Sequence, residues 1–464
     1  MLPLDSEDLL FRIKGGFQLE GMLSKTDESD IKAGLSEAFK DLISKVNSHA
    51  FILNGLGGSL YLWPKSHAST SPSELHDDAR CKSILKFVTI EVNDSLKRIP
   101  KKKSLKITPL KVVNLQMLLE VTRPDVIENV IVHCETKSRL HFRLNLPIDV
   151  VVFAKPEDPW GKLQDQFVEA VSSQLSEMEK CIQKYTKGQS VPVPQAFHFE
   201  LPEKTTLTTV VYPAGISDET LEPQRKELHT ELGLGDKPFF RRSMVYQFPN
   251  DEINHKYRRT IHKYIPLPNP EDFKIGIAHG SYSYHHYLQD GVNDIEWGSA
   301  YRGLQTIISW YKYQGYIDKP IPTHEDFQKM MVNVGEEFVN VVGVTDPIGP
   351  FEIESVLTHA GISSNIMNIR PNNQVHMEAN ELVAHFHQQG TPIIMYVEPM
   401  SYVILGVAVN EETKEMKFLV LNVLYTGDDD WSNVIEKGVE WKSLEFWDQR
   451  EPYDICLPQR PEGV

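Results

Sequence analysis

An α+β protein with two principal folded units is the architecture this sequence predicts, on three observations. Strand-like apolar runs crowd the chain before residue 160, where a long helical periodicity takes over. After Pro270 the order turns over, with helical patterns first and three apolar strands last. Two proline-marked breaks, Thr186–Pro194 (TKGQSVPVP) and Ile265–Pro270 (IPLPNP), separate these stretches. A residue before proline avoids the helical region, and three prolines in five positions cannot lie inside a helix. The predicted organisation is a first domain over 1–190, a connecting β/α segment over 191–270 and a second domain over 271–464.

The elements follow in order. Leu9 to Leu23 alternates around Gly15-Gly16, which predicts a strand, a tight turn and a return strand. Ile31, Leu35, Phe39, Leu42 and Val46 recur at helical spacing, so an amphipathic helix is expected from about Ser29. Short β-rich runs come next: Phe51–Leu53, Leu60–Trp63, Ile84–Val92 and His141–Ala154. Leu163, Phe167, Val171, Leu175, Met178 and Ile182 mark a long helix from about Trp160 to Tyr185. Leu207–Tyr212 reads as a strand and Leu221–Leu232 as a helix.

Beyond Pro270, a helix is expected to begin near Ser299 and to carry Leu304, Ile307, Ile308 and Tyr311 inward. Thr323 and Asp326 form a weakened capping box for the next helix, since the usual partner is Glu or Gln. Phe351–Ala360 and Asn380–Gln389 read as two further helices, and Pro392–Tyr396, Tyr402–Val409 and Met416–Leu421 as strands. No internal repeat of solenoid period is apparent.

Composition narrows the class. A formal net charge of −16 over 464 residues argues against a nucleic-acid binder, and the basic run Arg98–Lys106 reads as a solvated loop. The acidic start, MLPLDSED, lacks the positive region of a secretory signal, and no apolar run is long enough to span a membrane. Cys81, Cys134, Cys181 and Cys456 lie far apart, with no metal-binding spacing. Reduced thiols in the cytosol, with no metal and no cofactor, are the expectation.

The chemistry concentrates in Tyr284–Gln305, YHHYLQDGVNDIEWGSAYRGLQ. This segment resembles the active-site segment of the papain-like peptidases that process ubiquitin-fold modifier 1, in which the WG pair is followed by the nucleophilic cysteine. Here Trp297-Gly298 is followed by Ser299. A thiolate at a helix N-terminus gains from the aligned peptide dipoles; a hydroxyl is a far weaker acid and needs a histidine to take its proton.

In the family a loop reading D-P-H-Y-T-G supplies the acid and the base. The matching stretch, Leu421-Asn-Val-Leu-Tyr-Thr-Gly427, puts Asn422 at the Asp position and Leu424 at the His position. Leucine neither accepts nor donates a proton, and Asn422 lacks the charge that stabilises an imidazolium. Tyr396-Val397-Glu398 and Tyr402 replace the family's triple glycine and a histidine, while Ile404–Val407 is retained. Tyr287 matches the oxyanion-stabilising tyrosine, and Trp297 and Tyr425 are candidates for contact with the modifier.

The remaining residues read more plainly. His285 and His286 are expected as a hydrogen-bonded structural pair rather than a replacement base. His359 and His385 fall on predicted helices and are expected at the surface or facing a partner. Cys456 reads as a buried thiol, and Trp431, Trp441 and Trp447 as packing.

The resemblance extends to LFRIKGG (Leu10–Gly16), MEKCI (Met178–Ile182), RKELH (Arg225–His229) and CLPQRP (Cys456–Pro461), which selects the longer of the family's two types. It implies an MPN-like N-terminal domain that is recruited to an endoplasmic-reticulum membrane partner, followed by a papain-like peptidase domain. Active members mature the modifier precursor and release the modifier from lysines. With the triad positions occupied by Ser299, Asn422 and Leu424, the expectation is a catalytically inactive cytoplasmic binder or scaffold for ubiquitin-fold modifier 1 or its conjugates, recruited to the reticulum surface. The alternative is a residual hydrolase of this family that has recruited another base.

Overall fold

The computed structural model describes residues 9–48, 51–55, 61–62, 78–86, 88, 90–91, 111–119, 140–201, 204, 206–248, 256–334, 341–370, 378–447 and 451–464. Cys134, the basic run 98–106, and Leu60, Trp63 and Val92 of the expected strands lie outside these residues. The chain forms two compact units. The stretch 191–270 divides between them, with 191–225 and 245–251 in the first and 226–244 and 252–270 in the second.

The first unit contains strand β1 (Leu9–Leu23), helix α1 (Glu28–Asn47), and strands β2 (Phe51–Gly55), β3 (Tyr61–Leu62), β4 (Ile90–Glu91), β5 (Lys111–Leu119) and β6 (Leu140–Ala154). Helix α2 (Trp160–Tyr185) and the strand pair β7 (Pro194–Phe199) and β8 (Thr208–Pro213) follow. Its sheet runs β3-β2-β5-β1-β6, with β4 also paired to β5. Asp27 caps α1 by accepting the Asp30 amide at 2.9 Å, which starts the helix one residue before the expected position. The apolar faces of α1 and α2 share one core with β1, β5 and β6, where Phe11 and Phe167 meet edge to face at 5.7 Å.

Two expectations are corrected here. Leu9–Leu23 is a single strand with no turn, because β6 pairs antiparallel with all of it, from Leu9↔Ala154 to Leu23↔Leu140. Gly15 instead admits a close neighbour: a Cβ there would lie 2.8 Å from the Met117 carbonyl oxygen of β5. The run Ile84–Val92 is not one strand either. Cys81–Lys86 forms a 3₁₀ turn that buries Cys81 and Ile84, three apart, on one side, and among the described residues of the run only Ile90–Glu91 pairs.

Helix α3 (Glu222–Leu232) lies at the division of the units. The second unit then contains β9 (Lys274–Ile277), α4 (Ser299–Tyr313), α5 (His324–Val334), α6 (Pro350–His359), β10 (Ser364–Ile369) and α7 (Ala379–Gln388). It closes with β11 (Ile393–Val397), β12 (Met400–Val409), β13 (Met416–Leu421), α8 (Trp431–Lys437), β14 (Val439–Ser443) and β15 (Tyr453–Pro458). The sheet order is β10-β15-β11-β12-β13-β14, with β9 on β12. Helix α4 packs against β11 and β12 and buries every residue from Ser299 to Tyr311. A helix buried on all sides is the unit's central post, and it delivers Ser299 at its first turn. The Thr323–Asp326 box forms as expected: Asp326 Oδ2 accepts the Thr323 amide at 2.9 Å, and Thr323 Oγ1 accepts the Asp326 amide at 3.2 Å.

In the first unit, Arg12 holds Asp149 by two bonds, Nε to Oδ1 at 2.9 Å and Nη2 to Oδ2 at 2.6 Å, and His198 Nε2 lies 3.3 Å from Oδ1. Burial alone would raise the Asp149 carboxyl, but His198 and Arg12 outweigh it and bring its pKa down to about 2. A carboxyl lowered in the folded state stabilises the fold above its ordinary value, and that contribution is lost as pH falls through the folded value. Denaturant unfolding should therefore show about 2–3 kcal/mol leaving the first unit as pH drops from about 5 toward 2, with Asp149→Asn flattening the slope. Separately, Gly15→Val should cost about 1–3 kcal/mol by urea titration, because the new side chain meets backbone that cannot swing aside.

Candidate active site

The site is assembled around the start of α4. Gly298 leads into the helix, its amide bonded to the Asp294 carbonyl at 2.8 Å while its own carbonyl accepts the Arg302 amide at 2.9 Å. A Cβ on Gly298 would lie 2.5 Å from the Asp294 side chain, so the approach to residue 299 requires glycine. Ser299 is 1% exposed, and its Oγ accepts the main-chain N–H of Ser401, at the start of β12, at 3.0 Å.

Asp294 anchors this entry. Its carboxylate has no exposed surface and accepts from Leu288 N at 2.8 Å, Arg302 Nε at 2.5 Å and His324 Nε2 at 3.1 Å. Arg302, also fully buried, extends the network to the Gln289 carbonyl at 2.8 Å and to Gln305 Oε1 at 3.1 Å. Burial would raise the Asp294 carboxyl; the His324, Leu288 and Arg302 donors win and hold it below the ordinary carboxylate range. The loop 288–294, the first turn of α4 and the start of α5 are thereby tied to one charge.

Tyr287 links this entry to the loop after β13. Its amide donates to the Val423 carbonyl at 3.0 Å, between Asn422 and Leu424. Its phenol reaches Met400 Sδ at 3.9 Å, and burial raises that phenol's pKa while the neighbouring Ser299 hydroxyl opposes the rise. Ser299, Tyr287 and the 422–424 loop therefore come together at one place. Asn422 shapes its own loop: Oδ1 accepts the Leu424 amide at 3.1 Å, and its carbonyl accepts the Tyr284 hydroxyl at 2.6 Å. The Leu424 side chain is half-buried and packs against the apolar core of the unit.

Among the described residues, no histidine hydrogen-bonds Ser299. His285 Nε2 is 2.9 Å from Ser283 Oγ, and burial pushes this imidazole down to about 3. His286 Nδ1 faces the Tyr287 and Tyr425 carbonyls at 2.9 and 3.0 Å, and its Nε2 faces Asp429 Oδ1 at 2.8 Å. Both rings are hydrogen-bonded within the fold, as expected of the pair. His359 is exposed, but His385 is not the surface group expected: it is 6% exposed, with Nε2 2.8 Å from Thr391 Oγ1, because α7 turns that face toward the sheet.

Trp297 is half-buried, donating to the Asn293 carbonyl at 3.2 Å and stacking edge-on against Tyr301 and His324. Tyr425 is buried, its hydroxyl donating to the Asp428 carbonyl at 3.0 Å. A cavity of about 300 Å³ beside Tyr287 is lined by Lys256, Tyr257, His286, Asp290, Asp428 and Asp429, among others. Cys81, Cys181 and Cys456 are free and buried, and burial raises each thiol to about 12. No cluster of three or more His, Cys, Asp or Glu among the described residues could hold a metal ion.

The residues that sequence reading missed are Asp294, Arg302, His324, Met400 and Ser401. Only the first two had a visible signal, as opposite charges within the WGSAYR neighbourhood; the others depend on segments distant in the chain.

Comparison with known proteins places this geometry in a lineage. Residues 36–253 match the family described as "Ubiquitin-fold modifier 1 specific protease 2, N-terminal", and residues 274–456 match "Peptidase family C78". Proteins named "Ufm1-specific protease 2" from Gallus gallus and Homo sapiens are 41% and 40% identical, over 98% and 100% of this chain and all of each relative. A structure described as "Crystal structure of UfSP from C.elegans" superposes with a TM-score of 0.70 at 24% identity, covering 98% of this chain and 78% of the other; at that identity it speaks to the fold alone.

Removing the anchor tests the site's construction. Asp294→Ala leaves the Arg302 guanidinium buried without its closest partner, and should destabilise the second unit by about 3–5 kcal/mol in urea unfolding followed by tryptophan fluorescence. Combining Asp294→Leu with Arg302→Met should recover only part of that loss, because the Leu288 amide, His324 and the Gln289 carbonyl remain buried without their partners. A loss below about 1 kcal/mol for Asp294→Ala would show that the network does not hold the entry to α4.

Proposed function

The chain belongs to the Ufm1-specific protease 2 family, and from that premise we propose that it no longer cleaves peptide or isopeptide bonds and acts by binding the modifier or its conjugates. The observation that carries this reading is the partner of Ser299 Oγ: a main-chain amide, with no histidine bonded to it among the described residues. A serine nucleophile needs its proton removed as it attacks. Leu424, at the position where the family resemblance puts the base, is apolar and half-buried against the core. Tyr287 supplies a phenol that stabilises an oxyanion, which by itself is worth little without nucleophile and base.

Binding asks less of the site than turnover does. The helix start, the Tyr287 position and the loop between them are all formed, which supports a retained binding role for the modifier. In this reading the N-terminal domain recruits the chain from the cytoplasm to a partner at the endoplasmic-reticulum membrane. No helix of the described residues is long and apolar enough to cross a membrane itself.

A cleavage assay of modifier precursor with the full chain decides between binder and hydrolase. The expected result is turnover about 10⁶-fold below that of an active family member, unchanged by Ser299→Ala. Processing well above background and abolished by Ser299→Ala would overturn the proposal and establish a recruited base. Titration calorimetry with mature modifier should show saturable binding by the full chain; its absence would count against the binding role.

A further inference from the structure

The strongest unassigned feature is the hairpin of β11 and β12. The two strands pair from Ile393↔Ile404 to Val397↔Met400 and are joined by the two residues Glu398 and Pro399, both exposed. The first two residues after this turn occupy both polar atoms of the site. Met400 Sδ sits 3.9 Å from the Tyr287 hydroxyl, and the Ser401 amide donates to Ser299 Oγ at 3.0 Å. These are the two groups that would face the carbonyl of a bound chain terminus. We propose that the β11–β12 hairpin is an autoinhibitory strap, with Met400 as a removable cover over Ser299 and Tyr287 that a ligand must displace to enter the site. The proposal rests on the reading of this site as a retained modifier-binding surface.

The two contacts differ in how readily they break. Ser401 is fully buried, and Ser299 Oγ satisfies its amide, so this bond belongs to the packed sheet. Met400 is only half-buried, and a thioether is a weak acceptor, so the phenol loses little when the side chain turns away. Methionine has three rotatable bonds and an unbranched stem, which lets it swing without moving the strand. The turn adds no lock, because the Glu398 carboxylate makes no hydrogen bond among the described residues. Opening the site therefore requires a side-chain rotation at Met400 and leaves the sheet paired.

The test places a reporter thiol beneath the cover and needs no ligand. In the full chain carrying Ser299→Cys, iodoacetamide alkylation at residue 299 is followed by peptide mass spectrometry. Cys81, Cys181 and Cys456 are buried and serve as slow internal references. Adding Met400→Gly should accelerate labelling of residue 299 by about tenfold or more, whereas Met400→Leu, which keeps the cover, should leave the rate within about twofold. Equal rates in the three proteins would overturn the strap. Faster labelling of the reference cysteines in Met400→Gly would assign the change to unfolding and overturn it as well.

The same variants are titrated with mature modifier. Affinity rising about tenfold in Met400→Gly and unchanged in Met400→Leu supports the strap as a regulator of binding. Unchanged affinity alongside faster labelling would overturn the regulatory role. If no variant binds modifier, the functional reading fails, while the labelling rates still report on the cover by themselves.

Discussion

Asp294 is a carboxylate with no contact with water, and the second unit is organised by what it takes to keep that charge satisfied. Its partners come from three places: the Leu288 amide in the loop before α4, Arg302 one turn into α4, and His324 at the start of α5. A buried charge is tolerated only when its partners are all present at once, so these segments are held in register with each other. The first residue of α4 inherits that precision. Ser299 sits where it does because Gly298 must pass within contact distance of the Asp294 side chain.

From this anchor the arrangement propagates outward through main-chain bonds. Tyr287, one residue from the Asp294-bound Leu288 amide, pairs with the Val423 carbonyl and so docks the loop after β13. His286 fastens the same loop through the Tyr425 carbonyl and the Asp429 carboxylate. None of these contacts uses a group that proton transfer at residue 299 would need. Positioning and chemistry are thus separable in this fold, and in the proposed reading the first persists without the second. Asn422 holds the loop's local turn, since its amide oxygen caps the Leu424 N–H. Leu424 beside it adds apolar packing against the core.

Much of the fold was legible from periodicity and caps. Helix α2 spans the predicted Trp160–Tyr185, β13 the predicted Met416–Leu421, and α5 begins at its Thr323–Asp326 box. Each is set by local information: apolar spacing or a side chain reaching its own helix end. The Gly15-Gly16 pair misled, because glycine marks either a turn or a close approach, and only the pairing of β1 with β5 and β6 selects the second. His385 misled for a related reason, since helical spacing shows that a face is apolar and not how far burial extends around it. Strands β10 and β15 carried too little apolar alternation to be read, and they form through pairing with each other across about ninety residues of chain.

By itself, the sequence determined the family, the residue types at the positions the family resemblance singles out and the order of most elements. These reside in identity and short-range spacing, and Ser299, Asn422 and Leu424 announce themselves without coordinates. The tertiary structure decided what surrounds them. Ser299 meets the Ser401 amide from 102 residues away, His286 meets Asp429 across 143, and Met400 lies over Tyr287. The partner of a buried polar atom is chosen by whichever distant segment the packed sheet brings within hydrogen-bond reach. No local pattern encodes that choice.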